Sequence, residues 1–164
     1  MKPMKLIFYP NDKLRKATVP FREETEKYNI EQLFKNMFFT VNFFEGCGLA
    51  APQVGISMKA IVVNDRQGTE IGMLNPEIVS FSGEQDVEEI CLSFPYQKGT
   101  VKRYDTINVK YRNQDFEEKV VEASGFLSAI IQHEIDHLDN ILFTDRMSKL
   151  SRDLLTKRMK KRHG

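Results

Sequence analysis

The stretch from Gln132 to His137 constrains this chain more than any other part of its sequence. It continues an apolar run over residues 126–131, and the two together predict one helix. Because positions i and i+4 of a helix share a face, His133 and His137 would point the same way and could hold one divalent metal ion. The adjacent Glu134 could take a proton from a water at that ion. The alternative interpretation is a histidine pair that only packs in a core or lies on a surface.

Length and composition are those of an ordinary globular domain. The chain has 164 residues, of which 41% are hydrophobic and 29% charged, so residues 1–164 can form a single domain with a substantial core. No segment approaches the roughly 20 apolar residues of a membrane span. The apolar stretch after Lys5 ends at Pro10, which is too early for a signal peptide. We therefore expect a cytoplasmic protein with no membrane partner.

Helical periodicity marks both ends of the chain. Asn29 and Gln32 have the spacing of a capping box, and apolar residues then recur at helical spacing, which predicts an amphipathic helix over residues 30–44. Ser148 or Ser151 could begin a final helix over about residues 148–162. The inner face of this final helix is predicted to carry four apolar side chains, Leu150, Leu154, Leu155 and Met159.

Between these helices the pattern is that of short strands, followed by the histidine helix with Ser124 as its predicted N-cap. Four acids within residues 84–89 predict a solvated turn. The predicted strands are residues 60–64, 73–75, 77–81, 106–112 and 116–122. Because strands do not alternate with helices, we expect an α+β fold. It would consist mainly of short antiparallel strands around a central metal-binding helix, with one helix at each end of the chain.

A run of small residues over positions 46–55 breaks the helical pattern before the first predicted strand. Gly46 and Gly48 bracket Cys47 there, and such a stretch permits another group to approach the backbone closely. The alternative interpretation is a plain loop between a helix and a strand.

Two histidines do not complete a catalytic metal site, which usually has three protein ligands and a position left for water. The metzincin-type extension fails, since Asn140 and Phe143 stand where it requires glycine and histidine. His163 lies in a tail that is expected to fray. Cys91, Cys47 and several upstream carboxylates remain as candidates. In a reducing compartment we expect both cysteines as thiols or ligands and not as a disulfide.

The charge of the chain is unevenly distributed. Residues 146–164 contain eight Lys or Arg and one Asp, whereas the rest has 16 basic against 22 acidic residues. A basic tail on an acidic body indicates an anionic partner for the tail. The alternative is an ordinary solvated helix end, where cations also interact favourably with the helix dipole.

Three stretches together resemble the peptide deformylase family: residues 46–53, 89–93 and 132–137. They occur in the family's order and at similar separations, and the resemblance extends from the N-terminal segment to at least Asp145. It departs at Ile90, where the family usually has glycine. The resemblance implies a single catalytic domain, a metal-dependent hydrolase that removes the N-formyl group from the N-terminal formylmethionine of new polypeptides.

The resemblance also implies the groups that carry the reaction. Glu134 would act as general base and then as general acid. The side-chain amide of Gln53 and the backbone N–H of Leu92 would donate to the formyl oxygen, and Gly48 would lie beside the formyl group. The metal would be Fe²⁺ in the cell, with Ni²⁺, Co²⁺ or a less active Zn²⁺ form also expected. The implied metal ligands are Cys91, His133 and His137.

The substrate contacts implied by the resemblance are a pocket and an edge. The methionine pocket would have walls formed by Cys47, Val87, Phe126, Ala129 and Ile130. The peptide backbone would lie as an added strand beside Gly46, Cys47, Gly48 and residues 90–91. Ile90 could narrow the outer subsites or point into the core. Asp136 is expected to hold the helix against Arg103 or another base.

Three further expectations concern partners and alternatives. The basic tail would bind an anionic surface, most plausibly ribosomal RNA near the nascent chain, and no DNA partner is expected. Within the enzymes, the alternative is a metallopeptidase, which would need a third ligand other than Cys91. Outside the enzymes, the alternative is a protein that binds formyl peptides or metal without turnover, although Glu134 and Gln53 both stand against it.

Overall fold

The computed structural model describes residues 1–23 and 29–163. Its helices are α1 (Ile30–Phe43), α2 (Gly125–Leu138) and α3 (Lys149–His163). Its strands are β1 (Gly48–Ala50), β2 (Ala60–Asn64), β3 (Glu70–Ser82), β4 (Gln85–Ile90), β5 (Lys98–Arg103), β6 (Thr106–Arg112) and β7 (Glu118–Ser124). Within the described residues, no helix is long and apolar enough to cross a bilayer.

Five of these strands form one antiparallel sheet in the order β1-β2-β3-β6-β7. All five residues of β2 are buried, which fits its position inside the sheet. Strands β4 and β5 pair with each other as a separate antiparallel hairpin. The α+β class and the antiparallel strands predicted from the sequence are therefore confirmed.

Two strand predictions needed correction. Residues 73–75 and 77–81 are not separate pieces but parts of β3, whose register against β6 shifts between Leu74 and Glu77. Such a bulge interrupts the alternation of the side chains, so the sequence pattern looks broken. The strand expected over residues 116–122 is β7, which begins at Glu118, because Phe116 has a left-handed φ of 63° and stacks on Phe21.

The acidic stretch over residues 84–89 is a strand and not a solvated turn. Along β4 the side chains alternate, so Asp86 and Glu88 face solvent, where they pair with lysines of β5 at 3.2 and 3.3 Å. Glu89 faces the other way and is buried. The prediction was wrong for Glu89, because a count of acids does not register the two-residue period of a strand.

Helix α1 begins as the sequence predicts. The Asn29 side chain accepts a hydrogen bond from the Gln32 backbone N–H at 3.0 Å. The reciprocal half of the capping box is missing, since the Gln32 side chain donates to Asn36 instead. The inner face packs on β3, where a Cβ at Gly72 would lie 2.5 Å from the Phe34 ring. Gly72 therefore allows the helix to approach the sheet.

Helix α2 lies across the large sheet. Ile130, Ile131 and Leu138 join a core with apolar side chains of β6, which buries one side of the helix. Ser124 occupies the N-cap position but caps no backbone N–H, and its hydroxyl instead pairs with that of Thr106 at 3.0 Å. The predicted capping role of Ser124 is therefore wrong.

Helix α3 packs through a narrower stripe than the sequence predicts. Leu155 and Met159 are buried, but Leu150 and Leu154 are 71% and 48% exposed. Leu155 and Met159 are four residues apart and share a face, and the other two leucines lie on a different one. Ser148 is the predicted cap that the structure confirms, since its hydroxyl accepts from the backbone N–H of Ser151 at 3.2 Å.

Candidate metal centre

Helix α2 carries the two histidines in its second half. His133 and His137 are one turn apart, both are buried, and their ring centroids lie 5.1 Å apart. The helix is buried at these positions because it lies between the large sheet and the segments that flank it on the other side. The interpretation of the motif as a histidine pair on a protein surface is therefore wrong.

Cys91 approaches the histidines from the end of β4. Its Sγ lies 3.4 Å from His137 Nε2, and the ligand atoms of Cys91, His133 and His137 all lie within 4.8 Å of one another. Bond lengths of about 2.0 Å to nitrogen and 2.3 Å to sulfur place two ligands of a tetrahedral ion about 3.3–3.8 Å apart. The donor atoms therefore suit a divalent ion, and no other such group occurs within the described residues.

Cys47, the other cysteine considered as a ligand, does not join this group. It is half-buried and packs beside the core that α2 shares with the large sheet.

Glu89 orients the first histidine. Its Oε1 lies 2.7 Å from His133 Nδ1, which leaves Nε2 of the same ring for a metal. Burial alone would raise the pKa of Glu89, but hydrogen bonds from Arg103 and His133 lower it to about 2. The glutamate is therefore a carboxylate. Sequence reasoning missed this residue, although its position two residues before Cys91 on one strand was a usable signal.

A buried ionic network continues from Glu89. Arg103 donates two hydrogen bonds to Glu89, at 2.6 and 2.8 Å, and a third to Asp136 at 2.7 Å. Arg146 donates two more to Asp136, at 2.6 and 2.7 Å. The expected contact between Asp136 and Arg103 is confirmed. Because the buried charges are paired and hydrogen-bonded, the network fixes α2 against the hairpin.

Glu134 lies in the same buried space as the metal-ligand candidates. Burial raises its pKa to about 7, although the neighbouring His133 opposes this shift. Its Oε2 is buried and has no hydrogen-bond partner among the described residues. Its Oε1 would lie 2.6 Å from a Cβ at residue 48, so Gly48 makes room for the carboxylate. Any larger residue at position 48 would displace Glu134.

Gln53 is held in one orientation by its neighbours. Its Oε1 accepts from the Ala50 backbone N–H at 2.9 Å, and its Nε2 donates to Ser93 Oγ at 3.1 Å and contacts Cys91 Sγ at 3.5 Å. The amide N–H groups are thus directed at the candidate metal centre. Ser93, which is fully buried, is a second residue that sequence reasoning did not single out.

Gln132 is also more than a surface amide. Its side chain accepts from the backbone N–H of Tyr104 at 3.0 Å and donates to the Tyr104 carbonyl at 2.9 Å. It also contacts the hydroxyl of Ser128 at 2.9 Å. These bonds join α2 to the turn between β5 and β6, and no periodicity in the sequence indicates them.

The predicted substrate residues are spread over several elements. Cys47 and Ile130 join one core cluster, and Ala129 is buried beside Ile130 on α2. Val87 is half-buried on β4 opposite Val101, and Phe126 is 51% exposed in the first turn of α2.

Two predicted residues lie on the rim of this region. Gly46 approaches Leu92, since a Cβ there would be 3.1 Å from Leu92 Cδ1. Ile90 is 71% exposed, so the interpretation that it points into the core is wrong.

A buried Cys-His-His cluster with a carboxylate in reach defines a metalloenzyme of the hydrolase class. The chain belongs to the polypeptide deformylase family, whose model matches residues 3–153. It is 41% identical over 157 residues to the peptide deformylase of Chlorobium limicola, covering 92% of this chain and 84% of that one. It is 37% identical over 163 residues to the peptide deformylase of Buchnera aphidicola, covering 98% and 93% of the two chains.

Solved structures agree with the assignment of the family. The crystal structure of a peptide deformylase from Legionella pneumophila matches with a TM-score of 0.90 at 34% identity, over 98% of this chain and 95% of that one. A peptide deformylase from Synechococcus elongatus in complex with actinonin matches with a TM-score of 0.87 at 30% identity, over 96% and 88% of the two chains.

Proposed function

We propose that this chain removes the N-formyl group from the N-terminal formylmethionine of newly made polypeptides, with residues 1–164 acting as one catalytic domain. Membership of the polypeptide deformylase family supports this reaction. The observation that carries the proposal is the buried cluster of Cys91, His133 and His137 with the Glu134 carboxylate against Gly48. The arrangement combines a cation site with a general base.

The metal would be held by Cys91 Sγ and one ring nitrogen of each histidine. A divalent ion bound there supplies a Lewis acid and makes a water more acidic. One thiolate and two imidazoles suit Fe²⁺, and also Zn²⁺, Ni²⁺ or Co²⁺, since these borderline ions share the preference for such donors. We propose Fe²⁺ as the ion in the cell. Glu89 supports the site by keeping His133 in one tautomer and orientation.

Glu134 is proposed to move the proton. Its carboxylate would take a proton from the attacking water and deliver it to the departing amine, as general base and then general acid. Its burial and its unpartnered Oε2 support this role, because no other hydrogen bond within the described residues engages that atom.

Gln53 and Leu92 are proposed to stabilise the formyl oxygen. As the formyl carbon becomes tetrahedral, its oxygen gains negative charge, which preorganised N–H donors stabilise. The Gln53 amide is fixed by Ala50 and Ser93 before any substrate arrives, which is the property that such a donor needs. The backbone N–H of Leu92 would be the second donor.

The peptide is proposed to add as a strand at the free edge of β1. That strand is the outermost in its sheet, so its outer edge can pair with an extended chain. Gly46, Cys47 and Gly48 would contact the peptide on one side and Ile90 on the other. The methionine side chain would enter a pocket lined by Cys47, Val87, Phe126, Ala129 and Ile130.

The exposed face of α3 is proposed to dock on ribosomal RNA, in the cytoplasm, where new polypeptides appear. Lys157, Arg158, Lys160 and Lys161 are exposed on a helix whose inner stripe is packed. Several lysines and arginines together attract phosphate and give binding that weakens steeply with salt.

One experiment separates this proposal from its alternatives. Purified protein is assayed for bound metal and for formate release from formyl-Met-Ala-Ser. We expect about one metal per chain and formate release that stops on chelation and returns with Fe²⁺ or Ni²⁺. A metallopeptidase would cleave between residues without releasing formate. A binding protein would hold metal or peptide with no product of either kind.

A further inference from the structure

The turn after β2 sends one arginine back onto the segment that leads into β1. Arg66 Nε donates to the Gly46 carbonyl at 3.0 Å, and its Nη2 donates to the same oxygen and contacts the Val41 carbonyl at 3.4 Å. Val41 is in the last turn of α1, where carbonyls lack helical partners. A cation at that end also interacts favourably with the helix dipole. Arg66 therefore joins the end of α1 to Gly46.

The backbone of Arg66 has an unusual conformation that directs its side chain. Its φ is 62°, in the left-handed region that disfavours residues with a Cβ. The Asn64 side chain accepts from the Arg66 N–H at 2.8 Å, and the Asp65 side chain accepts from two N–H groups further along the turn. Glycine or asparagine would fit this φ better, so a charged residue here indicates a use for its side chain.

Neighbouring bonds hold the same segment. The Asn64 N–H donates to the Cys47 carbonyl at 2.7 Å, and the Asn64 side chain bridges Asn42 and Glu70 at 3.1 and 2.9 Å. Backbone pairing of β1 with β2 covers Gly48 to Ala50. The bonds from Asn64 and Arg66 extend this anchoring by two residues, from Cys47 to Gly46.

The anchored segment adjoins the candidate metal centre at two points. A Cβ at Gly48 would lie 2.6 Å from Glu134 Oε1, and one at Gly46 would lie 3.1 Å from Leu92 Cδ1. A shift of this segment would therefore change the edge of β1 and its distance from Leu92.

We propose that Arg66 is a positioning residue for the peptide: it fixes residues 46–48 as a rigid edge on which the formylated chain is held. The proposal rests on the proposed function for the identity of the peptide, but the clamp itself does not. A preordered edge has already lost the backbone entropy that binding would otherwise remove, so its loss weakens binding more than chemistry.

The test compares Arg66→Gly with Arg66→Lys in the metal-loaded enzyme. Glycine suits the φ of 62°, so an effect of Arg66→Gly reports the lost side chain and not a strained backbone. The control is Arg112→Ala, which removes one positive charge from an exposed arginine opposite Glu118 on the large sheet. Steady-state kinetics on formyl-Met-Ala-Ser and amide hydrogen exchange over residues 43–49 are measured for each protein.

For Arg66→Gly we expect KM to rise about five-fold, the scale of one lost charge-assisted hydrogen bond at an exposed residue, with kcat within about two-fold. Exchange at residues 46–48 should accelerate about ten-fold in the same variant, since opening the clamp exposes these amides. Arg66→Lys should recover most of both properties, because lysine can still donate to the Gly46 carbonyl. Arg112→Ala should match the wild type.

Unchanged KM and unchanged exchange in Arg66→Gly would overturn the proposal, as would a fall in kcat at constant KM. If the wild type releases no formate, the proposed function is wrong. The exchange comparison still decides in that case whether Arg66 holds the segment.

Discussion

Helices α2 and α3 have nearly the same length, 14 and 15 residues, but they bury very different amounts of surface. Ten residues of α2 are buried, and five of them carry polar or charged groups other than serine. On α3, among the side chains that the structure describes, only Leu155 and Met159 are buried. Burying a charge is costly unless it is paired, whereas an exposed charge keeps its water. The two helices therefore place very different demands on the rest of the chain.

The polar groups of α2 find their partners on strands far away in sequence. His133 is paired with Glu89, and Asp136 with Arg103, so the hairpin β4–β5 completes what the helix begins. Glu134 Oε2 and His137 Nδ1 are two buried atoms without a hydrogen-bond partner among the described residues. Buried unsatisfied groups are rare in native proteins, and they mark positions that serve chemistry instead of folding.

Helix α3 depends on its surroundings only through its inner stripe. Leu155 and Met159 join the core cluster that contains Cys91 and Phe94. Near its end, Arg162 lies over the Tyr96 ring at 5.1 Å, a contact at the surface. The comparison teaches that the inner stripe supports the loop of Cys91, while the outer basic face is free to serve a separate partner. The following predictions test that division, from the site outward.

The largest effect is expected from Cys91→Ser. A neutral hydroxyl is a much poorer ligand than a thiolate, so metal binding should weaken strongly and formate release should nearly vanish. Cys47→Ser is the matched control, since Cys47 lies outside the cluster of candidate ligands, and it should keep much of its activity. Metal analysis and turnover of formyl-Met-Ala-Ser provide the measurements. The reverse order of the two variants would show that the ligand assignment is wrong.

The next largest effect is expected from Glu134→Gln. This change keeps the shape of the side chain but removes the base, so turnover should fall at least ~10²-fold while the metal stays bound. The metal content and kcat of the pure variant are compared with those of the wild type. Near-normal turnover by the metal-loaded variant would remove Glu134 from the mechanism.

Much of this site could be predicted from short patterns. The spacing of His133 and His137 follows from the period of a helix, and helix formation places both rings on one side. The resemblance to the deformylase family added Cys91, which residue patterns alone left as one of several candidates. The order of elements was also enough for the α+β class. These features are local, or they concern only the order of segments along the chain.

The parts that could not be predicted depend on contacts between distant residues. Glu89 is exposed by composition but buried by strand alternation, and its value comes from Arg103, 14 residues further on. The start of β7 depends on Phe116, which leaves the strand to stack on Phe21. The buried stripe of α3 depends on which side meets the core. Tertiary packing decides each of these cases, and periodicity allows more than one answer.

A smaller effect on the metal site is expected from Glu89→Gln. The amide is neutral and holds His133 less firmly, so metal affinity should fall about 10–100-fold, the usual range for such supporting partners. Glu88→Gln is the neighbouring control, because Glu88 is exposed and pairs only with Lys98 among the contacts described. Competition with a chelator gives the affinities. Equal affinities in the two variants would show that the bond from Glu89 to His133 does not support the metal.

Ile90→Gly is expected to change selectivity and leave the metal site intact. Ile90 is 71% exposed beside the proposed path of the peptide, so its loss should alter kcat/KM by a few-fold for residues that follow methionine, in line with the value of one apolar contact. A panel of formyl-Met peptides with varied second and third residues measures this. Val120→Gly, at a 65% exposed position on β7, is the control. Identical ratios across the panel would mean that Ile90 does not border the peptide.

The smallest effect on catalysis is expected from the outer face of α3. Removing the whole helix is a poor test, because Leu155 and Met159 belong to the same core as Cys91 and their loss would disturb the site. Reversing two outer charges, Lys157→Glu with Lys161→Glu, leaves that core in place. Turnover of formyl-Met-Ala-Ser should then stay within about two-fold of the wild type, since charges at an exposed surface are screened beyond about 10 Å.

Binding to ribosomes should respond to the same double variant. Each phosphate contact releases counterions, so co-sedimentation with ribosomes should weaken at low salt and depend less steeply on salt. Lys110→Glu with Lys119→Glu is the matched control, because it makes the same change of charge on the large sheet, where both lysines are exposed. If that control weakens co-sedimentation as much as the α3 variant does, the attraction comes from net charge and not from a docking face. If the α3 variant co-sediments like the wild type, its outer face has no part in ribosome binding, and the only role left for the helix is the packing of its inner stripe.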